Sequence, residues 1–272
     1  MPTAPFHRPR LVNGSILANF SQLELSTADE KTYSLTMTPI ARLAISLIGI
    51  PHLGFRLRAR IILKEARSAR EGARILDAGC GFGLYAMSLA EAGYTVDGID
   101  IEQRRIDILQ TMQREYPAVE KTLTLRQGSL TSLPYQSGTY DTVVCSEVIE
   151  HIADDNAAAA ELARVLKPGG KLILSVPYDS KRNQKTYHRF GHERPGYTAS
   201  SLNRLFEAHG LQLEKIYTYE HAFGAVLFDI FNTLKIKALM GLLFYPFYAL
   251  YLLDYLFSWG EPNQIIVVAS RK

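Results

Sequence analysis

Between Arg74 and Pro177 short runs rich in β-formers alternate with helical patterns, and this rhythm restricts the fold more than any other feature of the chain. The strand-like runs are Arg74 to Asp77, Tyr94 to Ile99, Leu123 to Gln127, Asp141 to Ser146 and Lys171 to Pro177. Between them the spacing predicts helices over Leu84 to Ala92, Gln103 to Tyr116 and Asn156 to Leu166. The last is ended by Lys167-Pro168-Gly169-Gly170, because proline and glycine stop a helix and turn the chain. Strands and helices in alternation imply an α/β fold, a doubly wound parallel sheet with right-handed crossovers. Such sheets take ligands at the carboxyl ends of their strands, so residues just beyond each strand are the candidates for function.

After this core come a polar loop (Tyr178 to Pro195), a helix near Ser200 to His209, a strand near Leu211 to Tyr219 and a final strand in the terminal run QIIVVASRK. Between the last two strands, Ala222 to Trp259 carries only four charged residues, Asp229, Lys235, Lys237 and Asp254. The chain therefore divides into an N-terminal helical extension over 1–72, a core over 73–220, a hydrophobic helical insertion over 221–262 and a last core strand over 263–272. A length of 272 residues fits one large domain with additions. The net charge of +3 lacks the clustered Lys/Arg excess of a nucleic-acid binder. Cys80 and Cys145, the two cysteines, lie in apolar, strand-associated contexts, which argues against a disulfide scaffold or a structural zinc site and fits a reducing cytoplasm. The N-terminal residues show no apolar core leading to a small-residue cleavage site, so no signal peptide is read and the catalytic part is expected to face the cytosol.

The stretch RILDAGCGFGLYAMSLA sets Asp77 at the end of the first strand, then Gly79, Gly81 and Gly83, then a helix. Glycines allow a sharp turn and close approach of a ligand, and a helix N-terminus offers free N–H groups to an anionic group. The spacing is G-x-G-x-G with an acid two positions ahead, unlike the G-x-G-x-x-G of dinucleotide sites, which favours S-adenosylmethionine (SAM). Asp100 closes the second strand, where a carboxylate can accept from both ribose hydroxyls; Asp97, the competing candidate, lies inside the strand.

With LDAGCGFG, VDGIDI, YDTVVCSEVIEHI and RVLKPGGKLILSVP in order, the chain resembles class I SAM-dependent methyltransferases, in the group that includes the ubiquinone-biosynthesis O-methyltransferases. The resemblance covers roughly residues 72 to 220 and the last strand. It implies a Rossmann-like sheet of order 3-2-1-4-5-7-6 with the last strand antiparallel. It also implies that Asp77, Gly79, Cys80, Gly81 and Gly83 surround the methionine part of SAM and that Asp100 holds the ribose, with Ile101 beside it. Ser129 and Leu130 would flank the adenine, and the backbone near Cys145 would meet the methionine amine. Many relatives carry Asp where this chain has Ser129, a weaker acceptor for the adenine amino group.

The run CSEVIEH follows the fourth strand, beside the expected methyl group, and if it is helical Glu147, Glu150 and His151 share one face. Three readings stay open. The cluster holds a divalent cation (magnesium, manganese or zinc) through Glu147, Glu150 and His151, with a further ligand from His188 or, preferably, His192 in the loop YHRFGHERPGYT. A cation there would lower the pKa of an acceptor hydroxyl and fix it for in-line attack. Alternatively His151 is a metal-free general base oriented by Glu150, or the residues only line the pocket and hold loops. A Glu-x-x-Glu-His run is shared with the ubiquinone O-methyltransferases and with Hen-type small-RNA 2′-O-methyltransferases, whose later histidine His192 could match. Tyr178, directly after the fifth strand, is placed to line the pocket, and Arg194 lies in the same polar loop.

Ala238 to Leu253 is sixteen residues without charge, interrupted by Pro246, and so shorter than the ~20 needed to span a bilayer. It reads as a re-entrant or interfacial helical hairpin, or as a lid whose Phe244, Tyr245, Phe247 and Tyr251 hold a hydrophobic acceptor. The apolar stretch Ile40 to Leu53, followed by Arg56, Arg58, Arg60 and Lys64, could meet anionic headgroups; both stretches could instead pack together or form a homodimer interface. The expectation is a SAM-dependent methyltransferase acting on a hydroxyl of a lipid-like molecule, cytoplasmic and peripheral on the membrane face. The alternatives are an RNA 2′-O-methyltransferase and a non-catalytic SAM-fold partner protein.

Overall fold

The structure is a computed structural model that describes residues 53–221, 253–254, 257–258 and 260–272. Helix α1 (Leu53–Ala66) precedes an alternating series: β1 (Arg74–Ala78), α2 (Leu84–Glu91), β2 (Thr95–Asp100), α3 (Gln103–Gln113), a one-turn α4 (Pro117–Glu120) and β3 (Leu123–Gln127). Then come β4 (Tyr140–Ser146), a 3-10 turn (Ile149–His151), α5 (Asp155–Val165), β5 (Leu166–Pro177), a one-turn α6 (Asn183–Thr186), a 3-10 turn (Tyr187–Phe190), α7 (Ala199–Glu207), β6 (Leu211–Tyr219) and β7 (Gln264–Arg271). The seven strands form one sheet in the order β3-β2-β1-β4-β5-β7-β6, as expected, with β7 antiparallel to both neighbours.

Local chemistry explains most boundaries. The central strands β1, β4, β5 and β7 are apolar on both faces because helices cover both, and Ile75, Leu76, Val143, Val144, Ile173, Leu174, Ile266 and Val267 have no solvent exposure. Edge strand β6 instead mixes exposed and half-buried positions and carries Glu214 and Lys215, charges that discourage pairing with another chain. Helix α5 starts at Asp154, whose carboxylate accepts from the Ala157 N–H, and α7 opens with a reciprocal Thr198–Ser201 capping box.

Two expectations shift. Helix α3 stops at Gln113, and the Pro117 that follows starts a separate turn, because proline is tolerated at a helix start but not inside one. Lys167 to Gly170 does not separate helix from strand: β5 already begins at Leu166, and the four residues loop out between the pairs Tyr140–Leu166 and Thr142–Lys171. Most of the apolar insertion, with Phe244, Tyr245, Phe247 and Tyr251, and the stretch before Leu53 lie outside the described residues. Among the described residues no helix is long and apolar enough to cross a membrane.

This topology sets up one edge of the sheet. The carboxyl ends of β1, β4 and β5 lie there, and the pairing of Pro177 with Gln264, and of Gln264 with Tyr219, brings the start of β7 and the end of β6 beside them.

Candidate active site at the carboxyl edge of the sheet

The glycine turn follows β1 and closes on the end of β2. The N–H groups of Gly79 and Cys80 both donate to the Ile99 carbonyl (2.8 and 2.9 Å), and the Gly81 N–H donates to Asp100 Oδ2 at 2.8 Å. Asp100 Oδ1 accepts from the Glu102 N–H at 3.0 Å. Gly79 has a φ of 76°, and a Cβ there would run into the Val148 side chain; the turn is thus packed directly against the CSEVIEH segment. Asp77 is buried, and its Oδ2 accepts from the Ala86 N–H of α2 at 2.9 Å. Burial pushes the Asp77 carboxyl up to about 7, the nearby Asp100 charge adding to the rise and the Ala86 bond opposing it. Burial likewise raises both thiols, Cys80 in the turn and Cys145 in β4, so neither is a ready nucleophile.

These residues fit a nucleoside bearing a cationic amino-acid end. Asp100 uses two of about four lone-pair sites on backbone donors, leaving room for two ribose hydroxyls. A Cβ built at Gly81 would meet nothing closer than an Arg105 nitrogen at 4.0 Å, so the backbone there is uncovered and approachable. Ile101, beyond Asp100, is 65% exposed, an apolar surface offered to a flat ring, while Leu130 is buried in the core. Ser129 Oγ lies 2.9 Å from Thr131 Oγ1 and accepts from the Thr131 N–H, a local turn that fixes its side chain. The rival carboxylate Asp97 is engaged elsewhere, with Arg74 Nη2 at 2.8 Å and the Tyr140 hydroxyl at 2.9 Å.

CSEVIEH is not one helical face. Glu147 takes a left-handed φ of 58°, and only Ile149–His151 form a 3-10 turn. Glu147 is consequently turned away from the other two candidates: its Oε2 lies 3.1 Å from Arg58 Nη1, and its Oε1 accepts from Ser175 Oγ at 3.0 Å. Glu150, His151 and His192 do come together, with one ligand atom from each lying within 4.8 Å of the others, and Glu147 is not part of that group. Glu150 has no solvent exposure and no hydrogen-bond donor on either carboxylate oxygen. Burial, with the Glu147 charge adding to it, pushes its pKa well above the carboxylate range. Glu150 therefore does not orient His151; the Gly191 carbonyl does, 3.1 Å from Nδ1. A carbonyl can only accept, so Nδ1 is the donor and Nε2 is the ring atom left for another partner. The His192 ring meets His151 edge to face (centroids 4.6 Å), its Nδ1 is buried without a partner, and burial followed by the His151 charge lowers its pKa.

The loop after β5 is zipped onto this turn: the Glu193 N–H donates to the Glu150 carbonyl, and Arg194 pairs with Asp155 at 2.6 Å and donates to the Ala153 carbonyl. Arg194 thus holds the loop in place. His188 stacks on Tyr187 (centroids 3.7 Å) and is not in the cluster. Tyr178 packs half-buried against the core, its backbone bridged to Tyr197, and is not among the wall residues of the adjoining cleft.

That cleft, about 460 Å³, is walled by Glu147, Pro177, Tyr219 and Gln264 from the sheet edge, by Phe55 and Arg58 from α1, and by Tyr187, Phe190 and His192 from the loop. Sequence reasoning missed Arg58 as a wall residue, having pointed it at lipid headgroups, and missed Ser175, Tyr219 and Gln264 altogether. No local pattern marks them; they reach the site through strand pairing and helix docking.

Residues 76–174 match the family described as "Methyltransferase domain". A "Ubiquinone biosynthesis O-methyltransferase" of Xanthomonas oryzae pv. oryzae is 38% identical over 118 residues, 43% of this chain and 48% of that protein. One with the same name from Thiobacillus denitrificans is 32% identical over 124 residues, 45% of this chain and 51% of that protein. The chain thus spans about half the length of the curated relatives it matches. In fold it is similar to a SAM-dependent methyltransferase from Methanosarcina mazei, with a TM-score of 0.53 and 19% identity over 76% of this chain and 96% of that one.

Proposed function

Residues 76–174 form a class I SAM-dependent methyltransferase domain, and from that premise we propose that the protein methylates a hydroxyl of a hydrophobic, lipid-like small molecule at a membrane face. The observation that carries this reading is the cleft itself. It opens at the carboxyl ends of β4 and β5, its wall residue Glu147 adjoins the Val148 on which the glycine turn packs, its walls are partly aromatic, and His192 of the polar cluster lines it. When bound, SAM supplies an electrophilic methyl group on a sulfonium sulfur and leaves as S-adenosylhomocysteine. Asp77 and the glycine turn would hold its methionine end and Asp100 its ribose. The chain's part in the chemistry is to orient the acceptor oxygen in line and to take up its proton, a role that falls to His151 Nε2, the ring nitrogen not engaged by the Gly191 carbonyl.

A second reading, a divalent cation on Glu150, His151 and His192, is favoured by the two donor-less oxygens of buried Glu150 and the unpartnered Nδ1 of His192. The cation would supply Lewis acidity next to the acceptor oxygen. The apolar stretches on either side of the core support a membrane-facing acceptor, and the division into extension, core and insertion belongs to the same proposal.

Methyl transfer from labelled SAM into lipid, RNA and soluble extract fractions, with and without chelator, tests all of this. Label in the lipid fraction is expected. Label confined to RNA overturns the acceptor class, turnover indifferent to chelator removes the cation, and SAM binding without transfer to any fraction leaves a non-catalytic partner protein.

A further inference from the structure

Helix α1 lies outside the matched stretch, yet one of its side chains reaches the reacting end of the sheet. Arg58 Nη1 sits 3.1 Å from Glu147 Oε2, the two side chains being 18% and 25% exposed. The other Glu147 oxygen accepts from Ser175 Oγ at 3.0 Å, and the Glu147 N–H donates to the Ser175 carbonyl at 2.8 Å. Glu147 keeps a φ of 58°, unfavourable for a residue with a Cβ, so these contacts must over-determine its position. Its carboxylate has lone-pair sites to spare and forms part of the wall of the cleft that also includes His192 and Tyr219. The Arg58 charge also acts on Tyr85, Glu150 and Tyr219, and Tyr219 shares the cleft wall with Arg58.

We propose that Arg58 is a positioning residue that fixes the Glu147 carboxylate in the cleft wall, where it accepts a hydrogen bond from an O–H or N–H of the acceptor. Glu147 then selects acceptors that carry such a donor next to the reacting atom, and α1 is a working wall of the site rather than a membrane-facing appendage. This rests on the cleft being the acceptor site of a methyltransferase.

The test uses the full chain with Arg58→Met, Arg58→Lys, Glu147→Gln and the double variant Arg58→Met/Glu147→Gln. Methyl transfer from labelled SAM is measured against a graded total lipid extract, S-adenosylhomocysteine binding by calorimetry, and stability by urea unfolding. Losing one charge-assisted hydrogen bond should raise the apparent KM for the extract about tenfold or more, with kcat less affected. Arg58→Met should approach Glu147→Gln, Arg58→Lys should recover part, the double variant should be no worse than Glu147→Gln, and S-adenosylhomocysteine affinity should stay within about twofold. An unchanged KM in Glu147→Gln, independent effects in the double variant, or loss of S-adenosylhomocysteine binding overturns the proposal. If the unaltered protein methylates nothing, the methyltransferase reading falls separately. The unfolding cycle then decides: coupling of about threefold or more between Arg58 and Glu147 keeps the positioning role, and strict additivity removes it.

Discussion

Replacing Asp77 with asparagine should separate folding from cofactor binding. The Asp77 carboxyl is 1% exposed, and burial raises it from 3.8 to about 7. Because the folded value lies above the unfolded one, the stability contributed by the bound proton is complete below about pH 4 and lost as pH rises through 7. At 1.36 kcal/mol per decade of pH, the full cost of ionising the buried group is about 4 kcal/mol. Asp77→Asn matches the protonated acid in shape, still accepts from the Ala86 N–H and cannot ionise. Near pH 4 it should unfold like the unaltered protein. At pH 8 it should be the more stable by up to about 4 kcal/mol, on the order of 10 °C in Tm for a domain of this size. The same change removes the negative charge that a cationic methionine end would meet, so S-adenosylhomocysteine affinity should fall about tenfold or more and lose its rise between pH 6 and 8. Urea unfolding and calorimetry across pH 4–8.5 measure both effects. Stability curves that run parallel for the two proteins would refute the burial argument.

Three further outcomes can be checked. Glu150→Gln should lower Zn²⁺ or Mn²⁺ affinity, read by calorimetry, by at least about tenfold, while Glu147→Gln changes it less, because only Glu150 shares the 4.8 Å cluster with His151 and His192. Gly79→Ala should destabilise by about 3 kcal/mol, through both its φ of 76° and the collision with Val148; adding Val148→Ala should restore the collision part alone, as thermal unfolding would show. Burial works to raise Asp141, but Lys167, the Arg74 N–H and Arg70 overcome it and hold its carboxyl below the usual range. That stability is present above about pH 4 and lost as pH falls, so Asp141→Asn should flatten the acid limb of the stability curve between about pH 5 and 2.

Strand and helix alternation was legible because each central strand buries both faces, which demands continuous apolar runs such as VVC in β4 and LIL in β5. The positions of the two acids were legible for a related reason: Asp100 ends its parallel strand, whereas the mid-strand Asp97 must find partners within the sheet, as it does in Arg74 and Tyr140. The reading of CSEVIEH as a helical face failed at one bond. The Glu147 N–H pairs with the Ser175 carbonyl on the next strand, and this pulls the backbone into a left-handed turn that no three- or four-residue spacing reveals.

Sequence alone determined what depends on short-range rules: the βα rhythm and the glycine turn with an acid on either side. Tertiary structure decided how the carboxylates divide their roles. Glu147 and Glu150 are three residues apart and chemically alike, yet one is turned to the Arg58 guanidinium of a helix 89 positions earlier while the other is buried without a donor beside two histidines. The difference arises from desolvation and from partners brought in by strand pairing and helix docking, and those are long-range quantities that a linear pattern does not contain.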